Sequence, residues 1–402
     1  MSDSLPFSTM PAPEGTGAAS ASDNIGDAPA RAATADRRTP LHALHVARGA
    51  KMVSFAGYDM PLQYGGGILA ETQHTRRAAS LFDVSHMGQL DVLGADADLA
   101  LERLLPADLV GLAARQQRYS VLTNTAGGVL DDLMVARGPQ GLALIVNAAR
   151  KDTDFTHLQR GLVGDAQVIM REDLALLALQ GPQARVVLCR LNPRIADLFF
   201  LQQDIFTLAG LPCRVSCSGY TGEDGFEISV RGSDVQALAE ALLAHPEVAL
   251  AGLGARDALR LEAGLCLYGH DLTEHTTPVE AGVVFAIARS RRARGERPGG
   301  FPGAERILAE IAGGPARLRV GLLPEERAPL REGVRLFDET GRPVGDICSG
   351  SFSPSLNRPI AMAYVQREWS ITGTQLFAEQ RGRQVPARVC SLPFVPARVA
   401  RS

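Results

Sequence analysis

The chain has 402 residues, 46% of them hydrophobic and 21% charged, enough for two or three domains with a large buried core. Its formal charge of −3 gives no electrostatic reason to expect nucleic acid, whose binding is driven by phosphate neutralisation. No run approaches the roughly 20 consecutive apolar residues that span a bilayer, so no membrane partner is expected.

Residues 1–38 are rich in Ala, Ser, Pro, Gly and Asp, the composition of a disordered tail. The tail has no apolar core of signal-peptide type, and Asp3, Glu14, Asp23 and Asp27 speak against a mitochondrial transit peptide, so a bacterial-style cytoplasmic chain is expected. From Thr39 the pattern becomes globular. Thr39 and Pro40 precede Leu41, Leu44 and His45 as a short capped helix would. KMVSFAGYDMPLQY reads as a strand and then an irregular loop, because Gly57, Pro61 and the triplet Gly65 to Gly67 disfavour regular structure. A helix is expected over 71–80, and extended chain around Asp83 and His86.

Three later segments share one order: an apolar or alternating run, a glycine, then a helix. They are Gly94 before 95–105, Gly181 before 182–191 with Pro182 at its start, and Gly232 before 233–244 with a capping box of Ser233 and Gln236. Such units predict α+β layers, with helices covering sheets on one face. Between the first two lies YSVLTNTAGGVLDDLMV, two β-runs over 119–122 and 129–135 joined by a turn ending in Gly127-Gly128. Asp131 and Asp132 interrupt the second run, and acids in a buried strand are unfavourable unless something offsets them, which is why they cluster at functional sites. Neighbouring strand residues point to opposite faces, so the two carboxylates cannot serve as a close acid/base pair: one works alone, or neither does. Spacing does not say which.

Residues 252–280 form the densest polar cluster. Helical spacing over 255–265 places Arg256 and Arg260 one turn apart, either lining a site or on a solvated face. Gly252-Leu-Gly254 lacks the third glycine of a dinucleotide fingerprint. The arginine-rich run from Arg289 to Gly300 reads as a mobile surface linker, or more sharply as a docking site for an acidic partner. From Arg317 onward short β-runs at 318–323, 334–338, 344–348, 360–365, 375–379 and 385–390 predict a small antiparallel barrel or sandwich. The six cysteines form no C-x-x-C pair, consistent with a reducing compartment. The eight histidines give no convincing zinc spacing, and only Lys51 and Lys151 could carry a Schiff base.

Several motifs together resemble the aminomethyltransferase (T-protein) of the glycine cleavage system: TPLHALHVARGAKMVSFAGYDMPLQY, LFDVSHMG, TNTAGGVLDDLMV, GYTGEDGFEISV, GLGARDALRLEAGLCLYGHDLTEHTTPVE and SGSFSPSLNRPIAMAYV, in that family's order over residues 39–396. The resemblance implies an α+β, three-domain cloverleaf: two interwoven α+β domains over 39–298 and a C-terminal antiparallel β-barrel over 317–396, around a central folate channel. It implies transfer of a one-carbon unit from the aminomethyl-lipoyl arm of H-protein to tetrahydrofolate, with release of ammonia and no metal, flavin or pyridoxal phosphate. By match to motif, the catalytic aspartate is Asp132, and the folate contacts are Met87, Tyr119, Asn147, Tyr220, Glu227 and Arg256.

Two departures stand out. Tyr58 replaces a common tryptophan, and Ala136 replaces a tyrosine found in several members, which would remove a folate-ring contact. Two alternatives are a related folate-dependent demethylating transferase, normally fused behind a flavin oxidase where this chain has a short tail, and a non-catalytic folate-binding protein, whose K-G-C-Y-x-G-Q-E signature is missing here. In a eukaryotic source the compartment would be the mitochondrial matrix.

Overall fold

The computed structural model describes residues 36–401; the expected tail, apart from its last three residues, lies outside them. Regular structure begins at Arg37–Arg38, which pairs in parallel with Tyr58 and Asp59. Two larger sheets and a closed barrel follow. A six-stranded sheet runs Gln203–Leu208, Leu211–Ser216, Gly225–Arg231, Leu174–Gln180, Ala79–Asp83 and Val248–Leu250 in spatial order. A five-stranded antiparallel sheet runs Gln117–Thr123, Val129–Arg137, Gly141–Val146, Gly88–Leu93 and Gln167–Met170. The second sheet is thus built from chain inserted between the strand Ala79–Asp83 and the rest of the first, so these two units are interwoven in sequence.

Each sheet buries one face under helices, as amphipathic layers require. Leu81, Leu177, Phe226 and Ile228 of the six-stranded sheet pack with Val187 and Leu188 of helix Ala184–Leu191 and Leu238 and Leu242 of helix Val235–Leu243. Leu90, Leu133 and Leu144 of the five-stranded sheet pack with Leu101 of helix Ala97–Glu102 and Leu158 of helix Lys151–Gly161. The six expected late runs are the six strands Arg317–Pro324, Arg335–Phe337, Pro343–Ser353, Arg358–Gln366, Gln375–Gln380 and Arg383–Cys390, closed into an antiparallel barrel filled by Leu322, Ile347, Ala363 and Leu376. Closure leaves the barrel no open edge. A further apolar cluster joins the three units, with Val121 and Val129 meeting Leu261, Cys266, Ile360 and Met362.

Several local expectations are corrected. The segment read as strand plus loop is a hairpin, Lys51–Phe55 with Tyr58–Gln63, because Ala56 and Gly57 take φ of 50° and 76°, the positive pair that a two-residue turn demands. The helix expected over 71–80 is Gly67–Arg77, and strand pairing begins at Ala79. The first helix starts at His42 and has no side-chain cap. The Ser233/Gln236 capping box does not form: Ser233 Oγ donates to Asp234 Oδ1 and Gln236 Nε2 to Glu240 Oε1. The arginine-rich linker is not a mobile loop. Arg291 is 4% exposed and reaches Glu102 Oε2 at 2.6 Å, Arg297 bonds Glu102 and Asp108, and Arg292 donates to the carbonyls of Val284 and Ile287. Buried Glu102 and half-buried Asp108 hold Arg291 and Arg297, a partnership that sequence distance hides; of the run's arginines only Arg289 and Arg294 are exposed.

Gly94 and Gly181, the glycines of two strand-to-helix units, share a φ near 130°, and a Cβ on Gly181 would lie 2.3 Å from the Ala78 carbonyl oxygen. Backbone on both sides leaves no room to yield, so Gly181→Ala is expected to lose about 3 kcal/mol in denaturant melts. Gly313→Ala, whose Cβ meets nothing within 4 Å, should stay within about 0.5 kcal/mol of the parent.

Candidate functional site

A cavity of about 1410 Å³ opens where the two sheets, the helix Leu253–Glu262 and the barrel meet. Met87, Tyr119, Asp132, Asn147, Tyr220, Glu227 and Arg256 all line it. Residues from five separate stretches of chain therefore converge on one space. A drug-sized ligand needs roughly 300–1,000 Å³, so there is room for a large substrate and the end of a second.

Asp132 sits on strand Val129–Arg137, half-buried in the cavity wall. Its Oδ2 accepts from the Tyr119 hydroxyl at 3.0 Å, and its Oδ1 accepts from Asn147 Nδ2 at 2.7 Å. No cation pairs with it among the described residues. Burial, and after it the charge of Asp131, push the Asp132 carboxyl up to about 7, against the lowering pull of the Tyr119 and Asn147 bonds. Burial and the adjoining Asp132 charge likewise hold the Tyr119 phenol well above its ordinary value. Asp132 can therefore accept or release a proton near neutral pH, the condition for acid/base work.

Asp131 points to the opposite face, as strand alternation dictates, and is fully buried. It accepts the Asn147 backbone N–H at 3.0 Å and Asn147 Nδ2 at 2.9 Å. The two aspartates point to opposite faces, as the alternation predicts, yet share Asn147 as a hydrogen-bond partner. Asn147 lies just past the end of the neighbouring strand Gly141–Val146 and bonds both carboxylates. Alternation within one strand gave no view of that third residue.

On the other wall, Glu227 of strand Gly225–Arg231 is half-buried rather than exposed, and its Oε2 accepts from Ser218 Oγ at 2.7 Å. Ser218, which itself lines the cavity, was not foreseen; nothing in its spacing marks it. Tyr220 gives its hydroxyl to the carbonyl of Cys266, leaving only its ring to the cavity. The guanidinium of Arg256 stacks over that ring at 4.7 Å and finds no carboxylate partner among the described residues. Arg260, one turn on, is 4% exposed and bound to Asp271 at 2.6 Å, so neither arginine belongs to a solvated face. Met87 packs partly buried beside Phe82 and Leu176.

The barrel adds Arg319, Cys348 and Ser349 to the lining, and Phe285, 66% exposed, tilts over Tyr119 at 5.4 Å between ring centres. Cys266 and Cys348 both line the cavity; burial pushes the Cys266 thiol up to about 12 and Cys348 higher than usual. Of the departures, Tyr58 takes a bond of 2.5 Å from Lys151 Nζ outside the lining, while its neighbour His86 contributes to the wall. Ala136 is 6% exposed within the sheet and is not among the residues that line the cavity, although its strand partner Gln117 is.

Known proteins share this fold. The GCVT N-terminal domain family matches residues 41–291, and the glycine cleavage T-protein C-terminal barrel domain matches residues 317–396. The chain belongs to the glycine cleavage T-protein family, and it is an enzyme of the aminomethyltransferase class. It is 44% identical over 371 residues to the mitochondrial aminomethyltransferase of Homo sapiens, covering 90% of each chain, and 41% identical over 378 residues to that of Dictyostelium discoideum, covering 90% of this chain and 93% of the relative. Its fold superposes with a TM-score of 0.85 on the crystal structure of glycine cleavage system aminomethyltransferase T from Bartonella henselae, at 43% identity over 91% of this chain and 99% of that one. Among the described residues no helix is long and apolar enough to cross a membrane.

The Asp132 environment makes a prediction independent of substrate. Its folded value, about 7, lies above the unfolded value near 4, so the stability lost to burying this charge grows as pH rises from about 4 to about 7 and is constant above. Asp132→Asn removes the charge. Its Tm should exceed that of the parent at pH 8, by a smaller margin at pH 5, and the gain should fade below about pH 4 in a scanning fluorimetry series.

Proposed function

We propose that the chain takes an aminomethyl group held as a thioether on the lipoyl arm of H-protein, releases its nitrogen as ammonia, and passes the methylene to tetrahydrofolate to give 5,10-methylenetetrahydrofolate. The observation that carries this reading is the Asp132 carboxylate, held by two neutral donors and no cation at the wall of a cavity large enough for folate. In the transfer the aminomethyl C–N bond breaks, a folate nitrogen attacks the carbon, the C–S bond breaks to free the lipoyl thiol, and the second folate nitrogen closes the ring. Positive charge develops on the methylene and on the attacking nitrogen. A carboxylate with no cation of its own stabilises that charge and takes the nitrogen's proton.

Glu227 suits the pterin end, because its Oε1 has no protein partner among the described residues and a carboxylate accepts from the paired N–H groups of a guanidine-like edge. Arg256, unpaired and stacked on Tyr220, suits the acidic or polar side of folate. Met87, Tyr119, Asn147 and the Tyr220 ring complete the contact surface. None of these steps calls for a metal, flavin or pyridoxal phosphate. We place the chain in a reducing compartment, the bacterial cytoplasm or, in a eukaryotic source, the mitochondrial matrix; the six cysteines are all unpaired.

The test is ammonia release coupled to methylenetetrahydrofolate formation, with aminomethylated H-protein and tetrahydrofolate supplied. The parent should turn over, and Asp132→Asn should lose at least about 100-fold in kcat while still binding tetrahydrofolate; full turnover by that variant removes Asp132 from catalysis. Isothermal titration of Glu227→Ala should show affinity for tetrahydrofolate reduced by about 10-fold or more, the worth of a charge-assisted bond. Unchanged affinity would reject the pterin contact.

A further inference from the structure

One region of the cavity wall is cationic and plays no part in the chemistry proposed above. Three stretches of chain meet there: the start of strand Gln117–Thr123, the turn at Phe200 and Leu201, and the chain's last residues. The Gln117 backbone N–H donates to the carbonyl of Leu201 at 3.0 Å, and the Phe200 N–H donates to the carbonyl of Ala400 at 2.9 Å. The guanidinium of Arg401 then lies over the Phe200 ring at 5.4 Å. Gln117, Arg118, Phe200, Leu201 and Arg401 all line the cavity.

The polar groups of this region lack partners. Gln117 is 5% exposed, yet no acceptor among the described residues reaches its Nε2, and Arg118 Nε is likewise buried without one. Arg115, on the same stretch of chain, pairs with Asp204 at 3.1 Å, whereas neither Arg118 nor Arg401 forms an ion pair among the described residues. Leaving a buried donor unsatisfied is unfavourable, so an acceptor brought by a ligand fits here. Guanidinium forks beside an amide donor suit a carboxylate.

We propose that Gln117, Arg118 and Arg401 form a subsite for the glutamate carboxylates of the folate substrate. The inference rests on the folate reading of the cavity given above and adds the place of the substrate's acidic end. Gln117 shares a strand face with Tyr119, whose hydroxyl donates to Asp132, so the subsite continues the wall that carries the reacting carboxylate. Its distance from the pterin end also suits the ligand. Glu227 pairs with Ser216 and Ser216 with Gln203, so the turn carrying Phe200 and Leu201 ends two strand spacings, roughly 10 Å, from Glu227. The aminobenzoyl spacer of folate separates pterin from glutamate by a comparable length. These two cations add to Arg256, whose guanidinium lies over the Tyr220 ring.

Isothermal titration with tetrahydrofolate and with tetrahydropteroate, the same molecule without its glutamate, reads the subsite as a ratio of affinities. The parent should favour tetrahydrofolate by about 10-fold or more, the worth of charge-assisted bonds to a carboxylate. Arg118→Leu combined with Arg401→Ala should bring the two affinities to within about twofold of each other, and Gln117→Leu alone should lower the ratio by about threefold. Arg401→Lys, which keeps the charge, should keep most of the parent's ratio.

A fault in folding would weaken both compounds together, so the ratio isolates the carboxylate contact. A ratio unmoved in the double variant overturns the subsite, and a higher KM for H-protein alongside that unmoved ratio would assign the two cations to acids of the carrier instead. A parent that binds neither compound overturns the folate reading together with the subsite. A parent that binds both, with the same ratio in every variant, loses the subsite alone.

Discussion

The site depends on a carboxylate that has been denied a cation. Several other buried acids of this chain take a charged partner: Glu262 takes Arg76 at 2.7 Å, Glu102 takes Arg291, and Asp271 takes Arg260. Asp132 faces the cavity with a phenol and an amide instead. Hydrogen bonds from neutral donors orient a carboxylate without cancelling its charge, so the field remains available to a cation that develops on a substrate. The same choice leaves the folded protein carrying an unfavourable charge, the pattern expected where activity and stability compete.

The ion pairs that the site lacks are found at the seams between the structural units. Glu262, at the end of helix Leu253–Glu262, binds Arg76 of helix Gly67–Arg77 and also accepts from Ser353 and Ser355 of the barrel. Arg260 of the same helix bonds Ser349 of the barrel, and Arg319 of the barrel donates to the carbonyls of Gly264 and Ala281. Buried charge pairs contribute little net stability, but breaking one leaves an uncompensated charge. Placed here, they fix the register of three units around a cavity that none of them encloses alone.

Much of this was legible in the chain. The six barrel strands showed as short β-runs between turn signals, and Gly94 and Gly181 marked strand-to-helix corners that backbone crowding explains. The acidic pair signalled a site, because two acids in an apolar strand need a reason. Local pattern did not choose between Asp131 and Asp132; resemblance to a family did. Relations between distant residues stayed hidden. Asn147 bridging the aspartates, Ser218 holding Glu227, and Glu102 capturing Arg291 involve separations of 15, 9 and 189 residues along the chain, and no periodicity encodes them. The linker was misread for the same reason: an arginine run looks solvated until the buried acid that receives it is known.

Cys266 and Cys348 gain meaning from where they stand. The proposed reaction delivers carbon on sulfur and would end by freeing a thiol inside the cavity, and lipoyl groups also exist as disulfides. Attack on a disulfide requires a thiolate. Burial keeps the Cys266 thiol protonated up to about 12 and holds Cys348 higher than usual as well. Under the proposed reaction, the wall would carry two protonated sulfur atoms beside a sulfur substrate and stay chemically silent toward it.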